Sequence, residues 1–238
     1  MGTQGCRFGV VVFPGSNCEQ DVISALRHLG LEASYVWHQD TDLSGYDALV
    51  LPGGFSYGDY LRCGAVARFS PVMEEVVRFA GAGRPVIGIC NGFQVLTEAR
   101  LLPGALIRNR RLKFICAPVP LRVEKSVCTW LDLPEGTVLT LPINHNEGNY
   151  TCDDHTLAEL VEGGQVVLRY CLPDGTRPPG GCAPNGSLDD IAGICNAAGN
   201  VFGLMPHPER AVDGISGCTD GAGFFSAVVA SAREVVGR

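Results

Sequence analysis

Short apolar runs alternating with segments of helical spacing organise the first hundred residues. Phe8-Gly-Val-Val-Val-Phe13, Asp47-Ala-Leu-Val-Leu51 and Val86 to Ile89 are nearly continuous in apolar residues, as expected of parallel strands covered on both faces. Ala33 to Trp37 reads as a further strand. Between these runs Val22, Ile23, Leu26 and Leu29 recur at helical spacing up to Gly30, and Val72, Val76 and Phe79 do so after Pro71. The first helix is predicted to start near Cys18, capped by Ser16 or Asn17 with Glu19 and Asp21 in its first turn, and Ser70 is expected to cap the second. A third helix follows Cys90. Strand–helix alternation up to Ala99 predicts a right-handed, doubly wound α/β sheet.

Past Leu102 the pattern changes. Phe114 to Val123 and Thr137 to Ile143 read as strands with no helix between them, which predicts an antiparallel extension of the mostly parallel sheet. Gln165 to Tyr170 is another strand. Leu172 to Ser187 is rich in proline and glycine, without periodicity, and is expected to pack little. Ile191 to Cys195 and Val201 to Leu204 flank Asn196-Ala-Ala-Gly-Asn200 and read as a hairpin. A closing helix is predicted over about 221 to 236. With no repeat, low-complexity tract or linker in view, a single domain over 1–238 is the simplest organisation.

Composition narrows the class. No stretch approaches the ~20 apolar residues of a membrane span. The first strand follows the N-terminus without the apolar core of a signal peptide, so a cytoplasmic location is expected. A net charge of −7 argues against general nucleic-acid binding, which depends on neutralising phosphates. The eleven cysteines are odd in number and form no C-x-x-C pair, so most are expected to be small apolar fillers rather than disulfides or zinc ligands.

One cysteine differs. Cys90 sits where a buried strand turns into a helix, flanked by Gly88 and Gly92 at G-x-C-x-G spacing. That is the pattern of a nucleophile elbow, with a thiol at the positive end of a helix, where its thiolate is favoured. The bland alternative is a buried structural cysteine. A nucleophile needs a base, and the base an orienting acceptor. His28, His38 and His155 lack such context, whereas His207 lies past a strand end between Pro206 and Pro208, with Glu209 two residues on. In an extended backbone those two side chains share a side. A second His-x-Glu pair, His145 with Glu147, raises the thought of a metal site, but the elbow cysteine has the better use for such a pair and no metal is expected. Gly53 and Gly54, at the end of the third strand, expose backbone N–H groups as a plain turn or as half of an oxyanion hole. The Gly15-Ser-Asn17 loop lacks the lysine of a phosphate cradle. Arg108, Arg110, Arg111 and Lys113 form a basic cluster, either a solvated face or a docking site for a partner or anionic substrate.

Taken together, Val-Phe-Pro-Gly-Ser-Asn-Cys18, Leu-Pro-Gly-Gly-Phe-Ser-Tyr-Gly-Asp-Tyr-Leu-Arg62, Gly-Ile-Cys-Asn-Gly-Phe-Gln94, Lys-Phe-Ile-Cys116 and Gly-Leu-Met-Pro-His-Pro-Glu-Arg-Ala211 resemble the class I (triad) glutamine amidotransferases. Within them the chain is most similar to the branch of small glutaminase subunits serving phosphoribosylformylglycinamidine synthesis in purine biosynthesis. The resemblance implies Cys90 as nucleophile, His207 as base and then acid, Glu209 as its orienter, and the N–H groups of Gly54 and Asn91 as oxyanion hole. Gln94, Gly53 and His145 would contact the substrate glutamine. It further implies a glutamyl thioester and ammonia passed to a separate ATP-dependent synthetase subunit, in a complex with a small accessory subunit. ATP and Mg would sit on that synthetase, and no cofactor is expected on this chain. One departure is that Asn144-His145-Asn146-Glu147-Gly148 stands where the family has Ala-His-Gly-Glu-Gly, which puts bulkier amides beside the pocket. Two other classes remain: a non-catalytic flavodoxin-like partner protein, disfavoured by the intact Cys90, His207 and Glu209, and a cysteine hydrolase of related topology, disfavoured by the Met205-Pro-His-Pro-Glu209 segment.

Overall fold

The structure is a computed structural model describing residues 6–128, 131, 133–214 and 217–223. Strands β1 (Arg7–Val12), β2 (Glu32–Trp37), β3 (Ala48–Leu51) and β4 (Val86–Ile89) alternate with helices α1 (Glu19–His28), α2 (Pro71–Gly81) and α3 (Asn91–Glu98). Then come β5 (Ala105–Ile107), β6 (Ile115–Val123), β7 (Val138–His145), β8 (Asn149–Thr151), α4 (Asp154–Glu162), β9 (Val166–Tyr170), β10 (Ile191–Cys195) and β11 (Val201–Leu204). Nine strands form one sheet in the order β2-β1-β3-β4-β11-β10-β9-β6-β7, while β5 and β8 pair apart from it. β2, β1, β3, β4 and β11 are parallel. The pairings from β11 outwards to β7 are antiparallel, so the predicted extension is present.

The patterning explains these positions. All four residues of β3 and of β4 are buried, as their apolar runs demand for central strands. Val22, Ile23, Ala25 and Leu26 form the buried stripe of α1, which packs on β1 and β2. Each such aliphatic side chain contributes roughly 1.5–3 kcal/mol on burial. Of the expected closing helix, 221–223 are helical and the remainder lies outside the described residues.

Two expectations change, and a third holds only in part. Neither Ser16 nor Asn17 caps α1, whose cap position is Cys18. Ser16 Oγ instead accepts from the Phe13 N–H (3.1 Å), and Asn17 Oδ1 accepts from the Cys18 thiol (3.3 Å). Ser70 occupies the cap position of α2, but its hydroxyl bonds to Tyr57 at 2.9 Å. Finally, the segment from Leu172 to Ser187 is exposed or half-buried over most of its length, as expected, but it is anchored through its polar groups. Asn185 is fully buried and donates to the Gly148 carbonyl (2.7 Å) and the Tyr170 hydroxyl (3.1 Å), and Arg177 pairs with Asp189 and Asp190. Its order comes from polar partners, which leave no hydrophobic period to read.

Parallel strands β1, β3, β4 and β11 all end on one edge of the sheet, where open α/β folds place their ligands. The loops leaving those ends carry Cys18, Gly54, Cys90 and His207.

Candidate active site

Cys90 stands between β4 and α3 with φ 51 and ψ −103, outside the regions that side-chain-bearing residues favour. Such a conformation costs about 1–3 kcal/mol and persists where the surroundings over-determine it. They do so here. A Cβ on Gly88 would meet the Gly92 carbonyl at 2.6 Å, and one on Gly92 would meet the Leu51 carbonyl oxygen at 1.9 Å. Two glycines thus let α3 press backbone to backbone on β3 and β4, while the Cys90 N–H donates to the Leu204 carbonyl at 2.8 Å.

The thiol opens into a cavity of about 200 Å³ that is also lined by Cys18, Gly54, Asp59, Gln94, His145 and His207. That volume is below the roughly 300–1,000 Å³ of drug-sized sites and suits a ligand of amino-acid size. Two larger clefts beside Arg110, about 600 and 640 Å³, hold no histidine.

His207 is fully buried, and its Nδ1 lies 2.6 Å from Glu209 Oε1. The pair forms in a single tight turn, Pro208–Arg210, rather than in the extended backbone its spacing suggests. The His207 N–H donates to the Pro142 carbonyl (2.8 Å), tying the turn to β7. Arg210 donates to Asp21 (3.1 Å) and to Cys18 Sγ (3.1 Å), tying it to α1. Burial disfavours the imidazolium, but Glu209 and Cys90 outweigh burial and raise the His207 pKa to about 10. His207 Nε2 is buried without a hydrogen-bond partner within the protein. The second thiol in the cavity is different: burial and the charge of Glu209 push Cys18 up to about 12, which keeps it protonated. Cys18, His207 and Glu209 bring ligand-type atoms within 4.8 Å of one another, yet Nδ1 of the histidine is already given to Glu209.

Of the remaining predicted residues, Gly54, Gln94 and His145 line this cavity, while Gly53 and Asn91 adjoin it without lining it. Gly54, at φ +142, leaves room for the backbone of Asn17, which a Cβ would meet at 2.8 Å, and Gly53 lies against the His207 ring. Asn91 Oδ1 accepts from the Ser56 N–H (3.2 Å), which holds the loop after β3 against the start of α3, the two segments that carry the Gly54 and Asn91 N–H groups. Gln94 accepts from Asn91 Nδ2 (2.9 Å) and donates to the Glu147 carbonyl (2.5 Å), bridging α3 to the segment after β7. His145 ends β7. Burial and the charge of His207 lower its pKa to about 4, so it is neutral near pH 7. Asn109 Oδ1 accepts from its Nδ1 (3.1 Å) and from the Gly148 N–H (3.1 Å), while Asn109 Nδ2 donates to the His145 and Lys113 carbonyls (both 2.9 Å). Nε2 of His145 is therefore left as a buried acceptor without a partner.

Sequence reasoning missed Asn109, Cys18 and Asp59. Asn109 was hidden within the basic cluster. Of that cluster, Arg108 pairs with Glu147 at 3.5 Å.

Comparison with known proteins shows the family. Residues 6–219 match the family described as the CobB/CobQ-like glutamine amidotransferase domain. Phosphoribosylformylglycinamidine synthase subunit PurQ of Gloeobacter violaceus is 59% identical over 232 residues, covering 97% of this chain and 100% of that protein. The subunit of the same name from Acaryochloris marina is 55% identical, covering 94% and 96%. The solved structure of PurLQS from Thermotoga maritima superposes with a TM-score of 0.84 at 43% identity, covering 95% of this chain and 99% of the matched one. A glutamine amidotransferase of Thermotoga maritima, with a TM-score of 0.54 at 13% identity, shares the fold. The chain belongs to the CobB/CobQ-like glutamine amidotransferase family and, within it, to the PurQ subunits of phosphoribosylformylglycinamidine synthase.

Proposed function

We propose that this chain is the glutaminase subunit of phosphoribosylformylglycinamidine synthase, acting as one domain in the cytoplasm. The observation that carries the reading is Cys90, on a strained elbow, sharing a small cavity with the buried His207–Glu209 pair. Cys90 attacks the side-chain amide carbon of glutamine. His207 takes the thiol proton before the attack, in keeping with its raised pKa, and as imidazolium gives it to the departing nitrogen, so that ammonia leaves and a glutamyl thioester remains. Glu209 holds the imidazole in the right tautomer and stabilises its charged form, in keeping with its raised pKa. The N–H groups of Gly54 and Asn91 stabilise the oxyanion, a donor of this kind being worth about 3 kcal/mol of barrier. Gln94, Gly53 and His145 border the bound glutamine. Water, deprotonated by His207, then cleaves the thioester and glutamate leaves.

Ammonia passes to a separate synthetase subunit that uses ATP and Mg to convert formylglycinamide ribonucleotide to the amidine, in a complex with a small accessory subunit. This chain carries no cofactor of its own. Among the described residues no helix is long and apolar enough to cross a membrane.

Glutamate release from glutamine tests the proposal, measured alone and with the synthetase. Little activity alone, strong stimulation in the complex and loss of both with Cys90→Ala are expected. Full activity of Cys90→Ala would refute the mechanism, and stimulation only by an unrelated synthetase would move the subunit to another pathway.

A further inference from the structure

Asp59 and Glu147 bring two carboxylates to the wall of the Cys90 cavity, and neither takes part in the chemistry above. Asp59 comes from the turn after β3, and its Oδ1 is buried without a hydrogen-bond partner. The Cys63 thiol lies with both acids. Burial and their negative charges push its pKa far above the ordinary thiol value, so it remains a neutral donor. Burial, with the charge of Glu147, also raises the Asp59 carboxyl against the opposing effect of the Cys63 hydrogen bond. Of the nearby cations, Arg108 reaches Glu147 from an exposed position, and Arg210 is committed to Asp21 and Cys18. Among the described residues no Lys or Arg forms an ion pair with Asp59.

A further acceptor faces the same cavity. His145 is 4% exposed, neutral, and turned by Asn109 so that its unpartnered Nε2 is an acceptor. The wall therefore offers lone pairs and negative charge, and it suits a ligand that brings several N–H donors and a positive charge. Gln94, four residues along α3 from Cys90 and so roughly 6 Å of rise away, bonds to the Glu147 carbonyl. The four bonds from the amide carbon of glutamine to its α-nitrogen span about 5 Å when extended. An amide carbon at Cys90 thus lets the α-nitrogen reach about as far as the Gln94–Glu147 contact, within the cavity that Asp59 and Glu147 also line.

We propose that Asp59, with Glu147 beside it, binds the α-ammonium group of the glutamine whose amide faces Cys90, and so selects a free amino acid over other primary amides. This rests on the glutaminase reading above. Asp59 touches substrate but not the reacting atoms, so its loss acts mainly on KM.

The test compares glutamine with glutaramate, which has the same terminal amide and no α-amino group, in the assembled complex. Asp59→Asn is expected to lower kcat/KM for glutamine about 10- to 100-fold, the range for a hydrogen bond to a charged group. The same variant is expected to change kcat/KM for glutaramate less than about threefold, so the preference collapses, while turnover on added ammonia stays at the wild-type level. Glu147→Gln, assayed on the same two amides, should lower the preference by a smaller factor because Arg108 already offsets that charge; it also serves as the test if Asp59→Asn does not fold. Equal losses on both amides, or unchanged glutamine kinetics, would overturn the assignment while Cys90-dependent hydrolysis by the wild type still stands. A wild type that hydrolyses neither amide would instead bring down the glutaminase reading, and this assignment with it.

Discussion

Glu209→Gln keeps the size of the group beside His207 and removes its charge. The imidazole stands at about 10 against an ordinary 6.5, a displacement of roughly 5 kcal/mol at about 1.4 kcal/mol per tenfold. Cys90 shares that stabilisation, and Glu209 alone is expected to supply about 3–5 kcal/mol, the range for a buried ion pair broken from one side. If the imidazolium is needed when ammonia departs, kcat should fall about 10²- to 10⁴-fold, with KM for glutamine moving only a few-fold. The assay is initial-rate glutamate formation in the assembled complex across a pH series. A stability effect accompanies it, and its sign follows from the raised pKa. The charged His207–Glu209 pair contributes fully below pH 6.5, and its contribution is lost as pH rises through about 10. The difference in Tm between wild type and variant should therefore be widest on the acid side and close on the alkaline side. A kcat within fivefold of wild type, or a stability gap that widens with pH, would refute the reasoning.

Two further predictions concern positioning. Gly92→Ala puts a Cβ 1.9 Å from the Leu51 carbonyl oxygen, so the elbow must move; overpacking of about 3 kcal/mol corresponds to a Tm lower by roughly 6–12 °C, and a Tm within two degrees of wild type would contradict it. Asn109→Ala leaves the buried His145 Nδ1–H and Gly148 N–H without their acceptor. Each such group costs about 1–3 kcal/mol, so thermal stability should drop and KM for glutamine rise, while the rate of Cys90 alkylation by iodoacetamide stays near wild type. A strongly slowed alkylation would show instead that Asn109 supports the elbow itself.

The parallel half of the fold was legible because strands covered on both faces must be apolar throughout, as β3 and β4 are. The antiparallel extension could be read from β6 and β7 following each other without a helix. The short β5–β8 ribbon could not, since three-residue strands leave too little pattern. Cys90, His207 and Glu209 were legible because their spacings are local, although the histidine and glutamate meet in a turn rather than in an extended segment. The helix caps failed because Ser16, Asn17 and Ser70 had partners in space that competed with the helix ends.

The alternation of strands and helices, the two glycines of the elbow and the His-x-Glu pair were legible in the sequence alone, because each depends on residues a few positions apart. Only the tertiary structure decided that the ends of β1, β3, β4, β11 and β7 meet at one cavity of about 200 Å³. It also decided that Asn109 turns His145, that Cys18 stays protonated beside Arg210, and that Oδ1 of Asp59 is buried without a hydrogen-bond partner. Those outcomes depend on which polar atoms remain unpaired, and on how deeply they are buried, once distant segments have packed. Neither quantity has a period or a spacing along the chain.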